Sequence, residues 1–352
     1  MPLLFSPLTL RGTTFRNRVF VSPMCMYSSH DGHPDDWHLV HLGAFARGGA
    51  GLVMTEATAV VPEGRISPWD AGLWSDEHDY SRITAFVRGQ GAVPAVQLAH
   101  AGRKASTQRP WEGHAYVPPA EGGWQTVGPS PVGFGELPAP RALSEPEIGE
   151  VVAAFGAAAR RAVAQGFEAV EVHGAHGYLV HEFLSPLTNT RTDRYGGDLA
   201  GRARFALEVV DAVRAAVPDG MPLLLRLSAT DWAEGGWTVE ETVQLSRWAV
   251  ERGVDLVDVS SGGNVPQQRI TVGPGYQVAL ARAVREGAKV PTGAVGLLTE
   301  PVQAEQVLVE GSADVVLLAR ALLRNPHWPL LAAHELKGEV RWPEQYLRAR
   351  PR

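Results

Sequence analysis

The chain has 352 residues, 45% hydrophobic and 20% charged, an ordinary globular balance that suits one large domain or two small ones. A net charge of −6 and a pI near 6.1 weigh against a nucleic-acid partner, and a mean hydropathy of −0.09 without a long apolar run weighs against a membrane-spanning helix. One cysteine, Cys25, excludes an intrachain disulfide, a cysteine-rich zinc site and an iron–sulfur cluster held by the chain's own thiolates.

Met1-Pro2-Leu3-Leu4-Phe5-Ser6-Pro7 shows no cationic segment before a long apolar one, so no secretory signal is expected and the compartment reads as cytoplasmic. Residues 8–15 read as a hairpin that plugs the floor of the fold behind it. Eight short runs rich in β-branched and aliphatic residues come next, at 18–22, 51–56, 92–98, 168–173, 222–228, 255–260, 290–295 and 314–319. Most lack polar alternation, as strands buried on both faces of a parallel sheet do.

Helical patterns lie between these runs. Ser144-Glu145-Pro146-Glu147 supplies a cap, an early proline and early acids for a helix over 148–165, stopped by Gly166. Thr238-Val239-Glu240-Glu241 opens another that ends near Gly253, and Thr299-Glu300-Pro301 opens a third that ends at Gly311. The alternation predicts an α/β fold: a (β/α)8 TIM barrel with an N-terminal hairpin and a long loop after the third strand, in one domain over 1–352. A doubly wound sheet is the main competitor, but eight units over this length suit closure better. The loop, 99–143, is rich in Gly, Pro and Trp, and loops of that length are usually functional.

In such a barrel the residues just past each strand converge on one mouth. Here they are Ser22-Pro23-Met24-Cys25-Met26-Tyr27, Glu56-Ala57, Gln97–His100, His173–Tyr178, Arg226, Ser260–Gly263, Gly293–Gly296 and Ala319-Arg320. The set is rich in donors and poor in carboxylates, which disfavours a two-carboxylate glycosidase or an acidic metal site and suits an anionic or electron-rich ligand. Glycines after the seventh and eighth strands are where phosphates bind in such barrels. His173 and His176 have a common metal spacing, but Gly174 and Gly177 argue against a helical presentation. His38 and His41 repeat the spacing on the first helix and read as packing or surface residues. No Gly-x-Gly-x-x-Gly follows a strand, so no dedicated nicotinamide-dinucleotide fold is expected.

The segments Ser22–Tyr27, Gln97-Leu98-Ala99-His100-Ala101-Gly102-Arg103, His173–Tyr178 with His181–Pro186, and Asn189–Gly197 together resemble the Old Yellow Enzyme family of FMN-dependent ene-reductases, and its thermophilic-like branch in particular. The resemblance covers the chain from Phe5 to about Arg348. It implies FMN as cofactor, NADPH or NADH as reductant, and reduction of activated C=C bonds of α,β-unsaturated carbonyls, extending to nitro compounds and quinones. Both substrates would share one pocket in turn, in a ping-pong sequence with hydride passing through flavin N5.

By the same resemblance His173 and His176 grip the substrate oxygen, Tyr178 protonates the substrate carbon, and Tyr27 lines the substrate pocket. Ser22, Pro23, Met24 and Cys25 contact the flavin, Ala57 leaves room for its ring, and Gln97 and Arg226 bond its pyrimidine side. Gly293, Gly296, Ala319 and Arg320 would take the phosphate, with Ala319 standing where the family usually has glycine. Arg226 also has a physical rationale, since a permanent cation balances the charge of reduced flavin. The tail, about 340–352, would send Arg348 into a neighbouring subunit's pocket, making a homodimer or homotetramer. On the residues alone, a metal-dependent barrel hydrolase using the two histidines and a non-catalytic ligand-binding barrel stay open.

Overall fold

The computed structural model describes residues 1–351. Eight parallel strands close into a barrel in chain order: β1 (Val19–Val21), β2 (Leu52–Ala59), β3 (Val93–Ala99), β4 (Ala169–Gly174), β5 (Leu223–Ser228), β6 (Leu256–Ser260), β7 (Thr292–Ala294) and β8 (Val315–Leu318). Closure is made by β8 against β1, with Val316, Leu317 and Leu318 opposite Val19, Phe20 and Val21. This is the expected (β/α)8 barrel rather than a doubly wound sheet.

The principal outer helices are α1 (Asp36–Arg47), α2 (Ser81–Gly89), α3 (Glu145–Ala164), α4 (Leu199–Ala216), α5 (Val239–Glu251), α6 (Val278–Ala288), α7 (Pro301–Val309) and α8 (Trp328–Glu335). The start signals act as expected. Ser144 and Glu147 form a reciprocal capping box on α3, and Thr238 and Glu241 form one on α5. Two short helices are not anticipated from the sequence: Leu179–Leu184 behind the His173–Tyr178 loop, and Arg320–Arg324 after β8.

Side-chain alternation sorts each strand between two environments. Along β4, Val170 and Val172 belong to the outer core beneath the helices, while Ala169 joins an inner cluster with Phe20, Leu52, Leu224, Leu256 and Leu317. The hairpin, Leu8–Leu10 paired with Thr13–Phe15, adds Leu10 and Phe15 to that inner cluster. Phe15 is fully buried, its ring centroid 4.8 Å from that of Phe20. Burying such a side chain contributes roughly 1.5–3 kcal/mol, so the hairpin seals the barrel floor with an apolar plug. Chemistry is left to the other end.

The long loop after β3 is less irregular than its composition suggests. It carries 3-10 turns at Gly102–Lys104, Pro110–Glu112 and Pro119–Glu121, and a two-residue ladder between Val127–Gly128 and Arg141–Ala142. Buried Arg103 ties it across the mouth, donating to the carbonyls of Val132 (3.0 Å), Gly133 (2.9 Å) and Asn264 (2.5 Å).

Candidate active site at the barrel mouth

Above the apolar plug, the inward positions of five strands form a polar layer: Gln97 on β3, Glu171 on β4, Arg226 on β5, Asp258 on β6 and Ser22 just past β1. All are at most 5% exposed. Arg226 Nη2 donates to Ser22 Oγ at 3.1 Å, and its Nε lies 3.1 Å from Asp258 Oδ2 as an ion pair too bent for a hydrogen bond. Gln97 Nε2 donates to Glu171 Oε1 at 2.8 Å, while Glu171 Oε2 has no partner. Burial pushes the Asp258 carboxyl up to about 6 despite Arg226, and the Glu171 carboxyl up to about 8, with Asp258 adding to the burial effect on Glu171.

One layer higher, the ring centroids of His173 and His176 are 5.2 Å apart, and that of Tyr178 is 5.1 Å from His173. His173 Nδ1 is buried without a partner, whereas His176 Nε2 is 2.7 Å from Ser260 Oγ. Burial, helped by nearby Arg226, holds both imidazoles well below the usual histidine range, so both stay neutral. Burial raises Tyr178 above the usual phenol range and keeps its proton in place. His176 and Tyr178 each keep part of their surface open. Neutral imidazoles can donate hydrogen bonds, and the Tyr178 phenol stands protonated beside them.

The backbone of this loop is forced. His176 has a φ of 60° and Gly177 a φ of 70°, and a Cβ on Gly177 would run into the Gly263 carbonyl. Gly177 N–H donates to His181 Nδ1 at 2.9 Å, and His181 Nε2 lies 2.9 Å from Asp231 Oδ1, both side chains fully buried. Asp231 is desolvated, yet His181 and Ser185 outweigh that and hold its carboxyl near 2. Gly177→Ala should displace Tyr178 and His176 together and cost about 10²-fold in turnover; steady-state rates matching the parent chain would contradict this.

Around the pocket wall, Ala57, Ile66, Ala99, Ala101 and Ala105 make a small-residue apolar patch against which Cys25, Trp124 and Tyr178 pack. Burial, with Asp70 and Glu56 nearby, raises the Cys25 thiol, so it is not a thiolate. Pro23 and Met24 are half-buried beside it. Tyr27, at a φ of 54°, meets the edge of Trp111 with centroids 5.7 Å apart.

At the far side of the mouth, a cavity of about 130 Å³ is lined by Gly296, Leu298, Ala319, Arg320 and Arg324 among others. Gly296 has a φ of 113°. Gly293 lies within β7, opposite Asp258 and Val315. Ala319 has a φ of −112° and a ψ of −94°, outside the left-handed region that favours glycine but also outside the usual α and β regions.

Several residues of the site carry no signal in the sequence. Lys104 Nζ donates to the carbonyls of His176 (2.8 Å) and Gly263 (3.0 Å) and lies 5.0 Å from the Tyr178 ring centroid, its pKa lowered by burial to about 8. Ile66, in the connection after β2, belongs to no motif. His38 does more than pack. Its Nδ1 is 2.7 Å from Asp35 Oδ1 and its Nε2 3.1 Å from Glu56 Oε1, while Glu56 Oε2 accepts from Met26 N–H at 3.1 Å. Burial pulls its pKa down, but the two carboxylates outweigh this and the net shift is upward. A bulge in β2 between Met54 and Ala57 resets the strand's alternation there. His41, by contrast, packs on Phe45 with centroids 4.7 Å apart.

Arg348 is not brought to this mouth in its own chain. The tail turn Glu344–Ala349 places Tyr346 beside His327 and under Arg47, at the C-terminal end of α1, where the helices return to the barrel floor. Arg348 itself is exposed. No third His, Cys, Asp or Glu joins the His173–His176 pair as a metal cage among the described residues.

Residues 3–339 match the profile of the NADH:flavin oxidoreductase / NADH oxidase family. The chain belongs to this family, that of the Old Yellow Enzymes. It is 45% identical over 350 residues to an NADPH dehydrogenase of Halalkalibacterium halodurans, covering 98% of each chain. It is 48% identical over 351 residues to an NADPH dehydrogenase of Bacillus cytotoxicus, covering 98% of this chain and 96% of the other. Among solved structures it is similar to an old yellow enzyme homologue from Zymomonas mobilis, with a TM-score of 0.78 at 25% identity and full coverage of both. It is thus a flavin oxidoreductase that uses FMN and NAD(P)H.

The residues present fit FMN. The Arg226 guanidinium suits the electron-rich pyrimidine edge, the unpartnered His173 Nδ1 faces no competing protein group, and the cavity beside Gly296 and Arg320 has the cationic rim a phosphate needs. No helix among the described residues is long and apolar enough to cross a membrane.

Proposed function

We propose that this Old Yellow Enzyme family member is an ene-reductase of the thermophilic-like branch, reducing activated C=C bonds of α,β-unsaturated carbonyls, and also nitro compounds and quinones, at the expense of NADPH or NADH. The observation that carries the reading is the pairing of two neutral imidazoles with a protonated phenol within about one ring's width of each other. Bound FMN supplies the hydride that reaches the substrate Cβ.

His173 and His176 donate to the carbonyl oxygen and stabilise the charge that builds there. Because both are neutral they polarise the oxygen without protonating it. Tyr178 then delivers the proton to Cα. Ser260 and Lys104 fix His176 by its ring and its carbonyl, and Arg103 holds the long loop over the pocket so that water is kept from the reacting centre. Ser22, Pro23, Met24, Cys25, Ala57, Gln97 and Arg226 contact the FMN ring system, and Gly293, Gly296, Ala319 and Arg320 its phosphate end. Tyr27 and Ile66 shape the substrate side.

NAD(P)H and the enone occupy this one pocket in turn, so initial-rate plots at several fixed enone concentrations should give parallel lines, with the saturated ketone as product. Intersecting lines would reject the shared pocket, and NADPH consumption without saturated product would reject the ene-reductase reading. A cytoplasmic setting belongs to the same proposal and rests on the single cysteine, which can form no internal disulfide.

The tail completes a neighbour's site in a homodimer or homotetramer: Arg348 is exposed and sits on the floor side of its own barrel. Deleting residues from Tyr346 onward should raise the KM for the enone several-fold, while FMN content is kept. Unchanged kinetics after that truncation would remove Arg348 from the site.

A further inference from the structure

Glu171 has no role in the chemistry above, yet it is fully buried inside the barrel, two residues before His173 on the same strand. The sealed layer holds two carboxyls, Glu171 and Asp258, and one guanidinium, Arg226. That cation is committed. Its Nε lies 3.1 Å from Asp258 Oδ2 as an ion pair, with both Asp258 oxygens free of hydrogen bonds, and its Nη2 donates to Ser22. Glu171 is left with one amide, from Gln97 at 2.8 Å, and a bare Oε2.

The groups facing Glu171 are therefore few: Gln97 from β3, Arg226 from β5, Asp258 from β6 and neutral His173 from its own strand. An isolated carboxylate in such a place is costly, because nothing there replaces the lost solvation. Further negative charge on a cofactor held beside Arg226 would make it costlier still.

We propose that Glu171 is a positioning and proton-holding residue, which takes up a solvent proton when reduction of FMN brings negative charge onto the flavin ring. The proposal rests on the FMN reading. In balance, NADPH supplies two electrons and one proton as hydride, and the Glu171 carboxylate gains one further proton from water. No other bond changes. Glu171 acts through Gln97 and Arg226, with which it shares the layer. Burial, with Asp258 adding to it, raises its carboxyl well above the ordinary carboxylate range, so the coupling shows on the alkaline side of that raised titration, where the carboxylate is present before reduction. Below it the acid is already protonated in both redox states.

The test is the midpoint potential of the FMN-loaded protein against pH, with Glu171→Gln and Asp258→Asn beside it. On the alkaline side of that titration the slope of the parent should double, from one proton per two electrons to two, since each tenfold change in proton concentration then enters the equilibrium twice. Glu171→Gln should keep the single-proton slope throughout, and Asp258→Asn should retain the doubling. Identical slopes in parent and Glu171→Gln, or loss of the doubling in Asp258→Asn alone, would overturn the proposal.

A second arm uses the FMN-free protein. An infrared carbonyl band of a buried carboxylic acid should be present at pH 7, fade at alkaline pH and be missing in Glu171→Gln. If FMN fails to bind, the FMN reading falls and the infrared arm still decides the protonation of Glu171: no such band, or one unaffected by the substitution, overturns it.

Discussion

Replacing Arg226 with alanine will lower the unfolding free energy by about 3–5 kcal/mol, the usual cost of removing one partner from a buried ion pair, and the variant will not retain FMN. The groups left behind set the size. Asp258, fully buried, loses its cation, Ser22 Oγ loses a donor, and Glu171 loses the positive charge that offsets its neighbour. Arg226→Lys would not be a conservative rescue, because an ammonium cannot span Asp258 and Ser22 at once. Urea unfolding of the FMN-free protein measures the first effect and gel filtration with added FMN the second. A loss under about 1 kcal/mol would mean that the layer is hydrated and its charges screened, contrary to the burial of every member. Pairing the change with Asp258→Leu should recover much of the stability but none of the FMN retention, which separates folding from cofactor binding.

The second large effect concerns Tyr178. Tyr178→Phe removes one oxygen from a ring that packs beside His173 and the Ala57–Ala105 patch, so the fold and FMN content should be unchanged. Stopped-flow reduction by NADPH should match the parent. Reoxidation by a weakly activated enone should slow by about 10²–10⁴-fold, the usual contribution of a positioned general acid. The neutral histidines cannot substitute, because burial denies them the second proton that an acid would need. Equal slowing of both half-reactions would show that the phenol positions the reductant rather than protonating the product.

Much of this is legible in the chain, and the reason is architectural. Strands covered on both faces read as bare apolar runs, such as Leu223–Leu225 and Val315–Leu318, and the capped helices between them announce their starts with Ser144 and Thr238. The mouth can be read by collecting the residues just past each strand. That collection includes Gln97 and Arg226 but passes over Glu171 and Asp258, their register partners in the same layer. Glu171 and Asp258 sit within apolar runs, at inward positions of strands whose outward neighbours are valine. The mouth is poor in acids, as its sequence says, but the layer beneath it holds two.

His38 is hidden for another reason. Its partner Glu56 lies 18 residues on in the next strand, and the pairing depends on a bulge that no composition announces. Lys104 donates to the distant carbonyls of His176 and Gly263, and the Ile66 carbonyl accepts from Thr107 N–H, long-range contacts that leave no periodic trace.

The proposed function requires that one pocket, lined by His173, His176 and Tyr178 and able to hold FMN, pass reducing equivalents from NAD(P)H to an enone. Its most direct test is a pair of single-turnover measurements on the FMN-loaded protein under nitrogen. NADPH should bleach the yellow flavin band, and cyclohexenone added to the bleached protein should restore it while forming cyclohexanone in equal amount. A bleached protein that oxygen reoxidises but the enone leaves unchanged would contradict the account.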